Sequence, residues 1–286
     1  MKQQRDLLTT IRSISSIPTI PTVLEKITLL LQNPQTSADE IGRAITTDQS
    51  LSSKVLKLVN SAFYGFPGKI STITHAVVIL GFSTIKNIVL TASIFDVFRK
   101  KGQAGLGGFD MERFWMHSIA CGAASQSLAK CIGSSEREEC FIAGLIHDVG
   151  KILLCQYLNE EFRAIVHETR SANSLFVDAE KRLFGVTHQE IGGVLCESWN
   201  LPENLQNAVK YHHTPSKNRA YYLTTAIVHC ADILVRALDM GNGGDNRLPR
   251  LQDQVWQNLG LDNLSLPTLL ENINDEVEKT KIFMQI

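Results

Sequence analysis

Apolar residues recur every three to four positions along nearly the whole chain, a period that suits amphipathic helices and little else. Val23, Ile27, Leu30 and Leu31 keep this spacing, as do Leu51, Val55, Leu58 and Val59. Ser37-Ala-Asp-Glu40 and Thr187-His-Gln-Glu190 are capping boxes, in which the first hydroxyl and the fourth carboxylate satisfy each other's backbone N–H groups. Asp48 or Ser50 can cap the helix that carries Leu51. Helices are expected at 73–97, 110–130, 136–158, 160–170, 175–184, 188–199, 202–213 and 220–239. No hairpin turn and no run of alternating strands competes with them. Breaks fall at Phe63–Gly68, at the glycine-rich run Lys100–Gly108 and at Met240–Asp245. The expected fold is all-α, in two packed helical parts joined near residues 100–110.

A length of 286 residues suffices for a substantial core, and 44% apolar with 20% charged residues is ordinary for a globular chain. A net charge of -1 gives no electrostatic footprint for DNA or RNA. The N-terminal stretch MKQQRDLLTTIRS lacks the apolar core of a secretory signal. Lys86, Asn87 and Asp96 interrupt the most apolar segment, Ala76–Phe98, so it is expected to be a buried helix rather than a membrane span. Six cysteines without a Cys-x-x-Cys pair read as reduced core residues, which fits a cytoplasmic protein.

Chemistry concentrates in Gly144-Leu-Ile-His-Asp-Val-Gly-Lys-Ile-Leu-Leu154, an apolar helical run with an imidazole and a carboxylate at its centre. Burying Asp148 costs several kcal/mol unless a cation or a hydrogen-bonded partner compensates. Other apolar helices offer partners: His117, with small residues at 120–124 that would let a neighbouring helix approach; His188; His212 beside His213; and Asp232. His117, His147, Asp148 and Asp232 are expected to converge on one buried polar centre, with His188, His212 and His213 close by. Nitrogen and carboxylate ligands without thiolate suit Mn, Fe, Ni, Zn or Mg. The rival arrangement is a metal-free network in which a protonated histidine or Lys151 pairs with the aspartates. Lys151, one turn from Asp148, could instead contact a substrate phosphate. His229 could pair with Asp232; His75 and His167 read as structural or exposed, and Trp115 and Trp199 as core.

The order His117, His147-Asp148, His188, His212-His213, Asp232 resembles the HD superfamily of metal-dependent phosphohydrolases. Further motifs resemble the HDOD domain: Ile17-Pro-Thr-Ile-Pro21, Ile45-Thr-Thr-Asp-Gln-Ser-Leu51, Leu58-Val-Asn-Ser-Ala-Phe-Tyr-Gly65, Ile70-Ser-Thr-Ile73, Ala76-Val-Val-Ile-Leu-Gly81, Phe114-Trp-Met-His117, Trp199-Asn-Leu-Pro202 and Tyr211-His-His213. The resemblance spans about residues 14–240. It implies an HD-domain-like helical bundle (111–240) with an N-terminal helical subdomain (14–99), followed by a helical tail at 246–286.

HDOD domains are similar to HD-GYP phosphodiesterases but lack the Gly-Tyr-Pro element. Here Thr-Pro-Ser-Lys-Asn follows His213, so that element is absent. Arg113 stands where HD-GYP sites can carry a glutamate, and a cation facing a metal there would weaken a multinuclear centre. The resemblance implies a bacterial signal-transduction module that acts through a protein partner, could form homo-oligomers, and could bind a nucleotide without turnover. The alternative is a metal-dependent phosphohydrolase acting on a nucleotide or cyclic nucleotide. No segment remains for a receiver, kinase or cyclase domain, so a stand-alone unit is expected.

Overall fold

The computed structural model describes residues 7–13, 22–31, 33–99 and 108–285. Every regular element among them is helical, as the 3.6-residue period requires. The Ile17–Pro21 motif and residues 100–107 of the expected linker lie outside the described residues. The chain forms two compact units, one within 18–100 and 278–286, the other within 1–17 and 101–277. Helix α1 (Leu7–Ser13), which no sequence signal announced, belongs to the second.

The smaller unit holds α2 (Thr22–Leu30), α3 (Ala38–Thr46), α4 (Gln49–Val59) and α5 (Ile73–Arg99). The Ser37–Glu40 capping box opens α3, and Asp48 caps α4 by accepting the Leu51 N–H at 3.0 Å. Asn60 closes the following turn: its side-chain amide donates to the Ile70 carbonyl and accepts the Ile70 N–H, both at 2.8 Å. The helical stretch expected over 73–97 is interrupted at Gly81, whose φ of 82° leaves the helical region. Phe283 from the end of the chain packs edge-on against Phe63 and near Phe95.

The larger unit holds α1 with α6 (Met111–Cys131), α7 (Arg137–Ile146), α8 (Val149–Tyr157), α9 (Asn159–Ser171), α10 (Phe176–Phe184), α11 (His188–Ser198), α12 (Glu203–Tyr211), α13 (Tyr222–Ala237), α14 (Asp253–Asn258) and α15 (Leu266–Lys279). The stretch expected as one helix over 136–158 is two, and His147-Asp148 is the joint between them. Glycines let the helices close up. A Cβ at Gly144 would lie 2.5 Å from the Cys121 carbonyl of α6, and one at Gly150 only 2.0 Å from the His188 carbonyl of α11. The stretch 246–286 is not an appendage, because Val255, Leu259, Leu269 and Ile273 share one buried cluster with Leu128 of α6 and Ile227 of α13. Ile73–Asp96 and Arg137–Tyr157 are long and apolar enough to cross a membrane. The first is interrupted at Gly81 and the second at His147-Asp148, with 89% of the second's apolar window buried in the protein.

Candidate metal centre

The joint between α7 and α8 turns His147 and Asp148 into the middle of the larger unit, where α6, α11, α12 and α13 deliver the remaining side chains. His117, His147, Asp148, His188, His212 and Asp232 are all at most 2% exposed. His117 Nε2 lies 3.2 Å from Asp232 Oδ1 and 3.8 Å from Asp148 Oδ2. His147 Nε2 lies 3.4 Å from Asp148 Oδ2 and 3.9 Å from Asp232 Oδ1. The other oxygen of Asp148 faces His188 Nε2 at 3.1 Å and His212 Nε2 at 3.7 Å. The structure thus brings all six together. His213 is the neighbour of both His188 and His212, with ring centroids 5.2 and 4.2 Å away, but is only partly buried.

Backbone and carboxylate acceptors fix the direction of the rings. The Nδ1–H of His147 donates to the Gly144 carbonyl at 2.7 Å, that of His212 to the Val209 carbonyl at 2.8 Å, and that of His188 to Glu180 Oε2 at 2.7 Å. For His147 and His212 this leaves Nε2 as a lone pair aimed inward, the tautomer a metal ligand needs; burial pulls the His188 pKa down, but Glu180 and Asp148 carry it above its ordinary value. Burial holds His117 below its ordinary pKa against the pull of Asp232. Burial, with His147 and His188 close by, takes His212 well below its own. Asp148 and Asp232 remain ionised: burial pushes their pKa up, but neighbouring groups, His147 and Lys151 foremost for Asp148 and Arg236 for Asp232, carry both well below the usual carboxylate range. Among the described residues, His147 Nε2 and Asp148 Oδ1 have no hydrogen-bond partner although fully buried. Orphaned donor atoms of this kind, set 3–4 Å from other ligand atoms, fit a divalent cation.

Two cations are already built in. Lys151 Nζ donates to Asp148 Oδ2 at 2.6 Å, so this lysine pairs with the carboxylate. Arg236 Nε donates to Asp232 Oδ1 at 2.9 Å, and its Nη1 to Asp245 Oδ1 at 2.9 Å. The buried carboxylates of Asp148, Asp232, Asp245 and Glu180 outnumber these two cations by two. One divalent ion restores neutrality with neutral histidines; two would overshoot it.

Backbone covers the centre. The segment from Gly241 to Asp245 crosses it as a strap: the Gly243 carbonyl accepts a hydrogen bond from Lys151 Nζ at 2.9 Å. A Cβ on Gly243 would stand 3.3 Å from His117 Nε2 and 3.4 Å from Asp148 Oδ2. Gly241, at φ 84°, lies so close to α6 that a Cβ would meet the His117 backbone nitrogen at 2.3 Å.

Arg113 does not face the centre as expected. It is half exposed and pairs with Asp239 and the Gly241 carbonyl. His229 does not pair with Asp232 either; its Nδ1–H donates to the His212 carbonyl at 2.8 Å. His75 and His167 are exposed, and Trp115 and Trp199 are core. Sequence reasoning missed Arg236, Glu180 and Cys121. Arg236 stands four residues after Asp232 on the same face. Glu180 hides in a charged run, yet falls three and four residues after Val177 and Phe176 of the buried face of α10. Cys121 Sγ lies 3.6 Å from His117 Nε2, so a thiol borders a ligand set expected to have none.

A sealed helical unit in which a His-Asp joint meets histidines and an aspartate from other helices defines an HD-type protein. Residues 17–215, more than half of the chain, match the HDOD domain, and the chain belongs to that family. It is 26% identical over 239 residues to an uncharacterised protein of Treponema pallidum, a match covering 83% of this chain and 45% of that relative. The chain therefore spans less than half the length of the curated relative it matches. The crystal structure of an HDOD domain protein of unknown function from Geobacter sulfurreducens superposes with a TM-score of 0.72 at 27% identity, over 96% of this chain and 88% of that one. A Shewanella amazonensis protein proposed to be a phosphohydrolase shares the fold, with a TM-score of 0.73 at 22% identity over 98% and 99% of the two chains.

Proposed function

We propose that this HDOD protein is a regulatory module of bacterial signal transduction in the cytoplasm, with a closed mononuclear metal centre, whose output is contact with another protein rather than catalysis. One observation carries this reading: the Gly241–Asp245 strap lies across the centre while Lys151 and Arg236 neutralise its two aspartates. Hydrolysis at a metal needs an open coordination position for water and phosphate. A covered centre supports a structural or sensory role instead. His117, His147, Asp148 and Asp232 would hold the ion, with His188 and His212 on the far oxygen of Asp148. When bound, a divalent ion would contribute Lewis acidity. The chain's own part is to aim the lone pairs, exclude water and balance charge. An exposed apolar group in the smaller unit, Val78 at 68%, Ile79 at 40% and Phe82 at 37%, supports a protein partner.

The second reading, a phosphohydrolase acting on a nucleotide or cyclic nucleotide, is favoured by the orphaned His147 Nε2 and Asp148 Oδ1, which a catalytic metal would also use. Elemental analysis of protein purified without chelator, together with assays on cyclic di-GMP and bis-p-nitrophenyl phosphate, separates the two. About one divalent ion per chain and no turnover is the expected result. Turnover of about 1 per second or faster, abolished by His147→Ala with Asp148→Ala, would establish the second reading. A pull-down from the native host tests for the partner.

A further inference from the structure

The six ligand side chains are each at most 2% exposed, so an ion reaches or leaves the centre only if part of its surroundings moves. The helices that supply the ligands, α6, α7, α8, α11, α12 and α13, are each fixed by buried apolar side chains. The strap is attached differently. Before it, Met240 packs against the apolar cluster that α6 and α13 share with α14 and α15. At its end, Asp245 is anchored by three hydrogen bonds: Oδ1 accepts from Arg236 and from the Arg247 N–H, and Oδ2 from the Phe176 N–H at 3.0 Å. Between these anchors, Gly241-Asn-Gly-Gly244 carries no apolar side chain. We propose that these four residues are a gate that swings between the two anchors and controls exchange of the ion, a proposal that rests on the metal-centre reading above.

What holds the gate shut is polar. The Gly243 carbonyl accepts from Lys151 Nζ at 2.9 Å, the Asn242 N–H donates to the Arg113 carbonyl at 2.9 Å, and the Gly241 carbonyl takes a longer bond, 3.3 Å, from Arg113 Nη2. On opening, each freed backbone group exchanges its partner for water, at a net cost of about 1 kcal/mol per bond. The two cations are not stranded, because Lys151 keeps Asp148 at 2.6 Å and Arg113 keeps Asp239 at 2.8 Å. No apolar side chain has to leave the core, which is the mark of a segment that opens locally while the rest stays folded.

Hinges stand at both ends of the four residues. Gly241 and Gly244 have φ of 84° and 111°, a region that glycine enters and leaves without strain. Asn242 braces the shut form from within: its Oδ1 accepts the Gly244 N–H at 2.7 Å.

The test loads Co(II), whose visible absorption reports binding, into the full chain and into the Asn242→Ala and Gly241→Ala variants, and times its loss to excess EDTA. Asn242→Ala removes the internal brace and should release the ion about five times faster than the parent. Gly241→Ala would set a methyl 2.3 Å from the His117 backbone nitrogen, so the gate cannot seat, and release should be about tenfold faster or more. Both variants should still bind about one ion per chain. Their urea midpoints after chelation should stay near that of the parent, because the gate holds no apolar side chain in place. Equal release rates in all three proteins would overturn the gate and leave the centre standing. Chelated midpoints that fall in step with the rates would also overturn it, since the segment would then hold the whole unit together. No Co(II) bound by the parent would overturn the metal centre itself, and the gate with it.

Discussion

Lys151 Nζ and Asp148 Oδ2 form a 2.6 Å ion pair within one turn of α8, and both residues are 1% exposed. Removing one partner of such a pair strands the other charge. Lys151→Met in chelated protein should cost about 3–5 kcal/mol in urea unfolding, whereas Lys151→Met with Asp148→Asn should cost clearly less than the two single changes summed. Additive losses would mean that the pair is not coupled.

Metal removal should destabilise the larger unit. An ion held at about a hundred times its dissociation constant adds about 2.7 kcal/mol to the native state. Chelation should therefore lower the thermal midpoint of the parent and leave that of His147→Ala where it was. Equal shifts in both would place the ion elsewhere.

The contact between α8 and α11 tolerates no side chain at position 150. Gly150→Ala would set a methyl 2.0 Å from the His188 carbonyl, so the helices must separate. Overpacking of this kind costs about 1–3 kcal/mol or more. The same shift moves His188 away from Asp148, and metal content should fall together with the urea midpoint. Retention of both would show that the contact yields.

Burial pushes the thiols of Cys140 and Cys196 up to about 12, and that of Cys155 to about 11. An acid whose pKa is higher folded than unfolded binds more protons in the native state, so the stability it contributes falls as pH rises above the unfolded value of about 8.5. Each such thiol should remove about 1.4 kcal/mol per pH unit between about pH 8.5 and its folded value. Urea unfolding at pH 8 and pH 10 checks this, with Cys196→Ala reducing the slope. At pH 8 a thiol reagent should modify the partly exposed Cys131 first.

Much of the fold was legible because helix starts have local signatures. The hydroxyl–carboxylate pairs at Ser37–Glu40 and Thr187–Glu190 both form as capping boxes. The six buried His and Asp side chains were visible because each interrupts an apolar face. What the chain hid was non-local. His147-Asp148 reads as mid-helix, since every residue around it favours a helix, yet the backbone breaks there between two glycine-mediated helix contacts, one on either side. Glu180 and Arg236 look like solvated charges until the partners they serve, eight residues away for His188 and one turn away for Asp232, fold over them. Nothing local shows that Gly241–Asp245 would be drawn across the centre, because the Lys151 and Arg113 contacts that hold it come from about 90 and 130 positions upstream.

The strap also sets where the molecule can be cut. The family match ends at residue 215, but Asp232, Arg236 and the strap all lie beyond it, and α14 and α15 pack against α6 and α13. A fragment trimmed to the matched boundary would keep His117, His147 and Asp148 and lose both the second aspartate and the cover. Its interior would be open to water at the most polar point of the core. Fragments intended to report on this protein's biochemistry should therefore run past Phe283, which completes the smaller unit, and loss of metal or solubility in one trimmed at residue 215 would reflect the missing C-terminal quarter rather than the domain's chemistry.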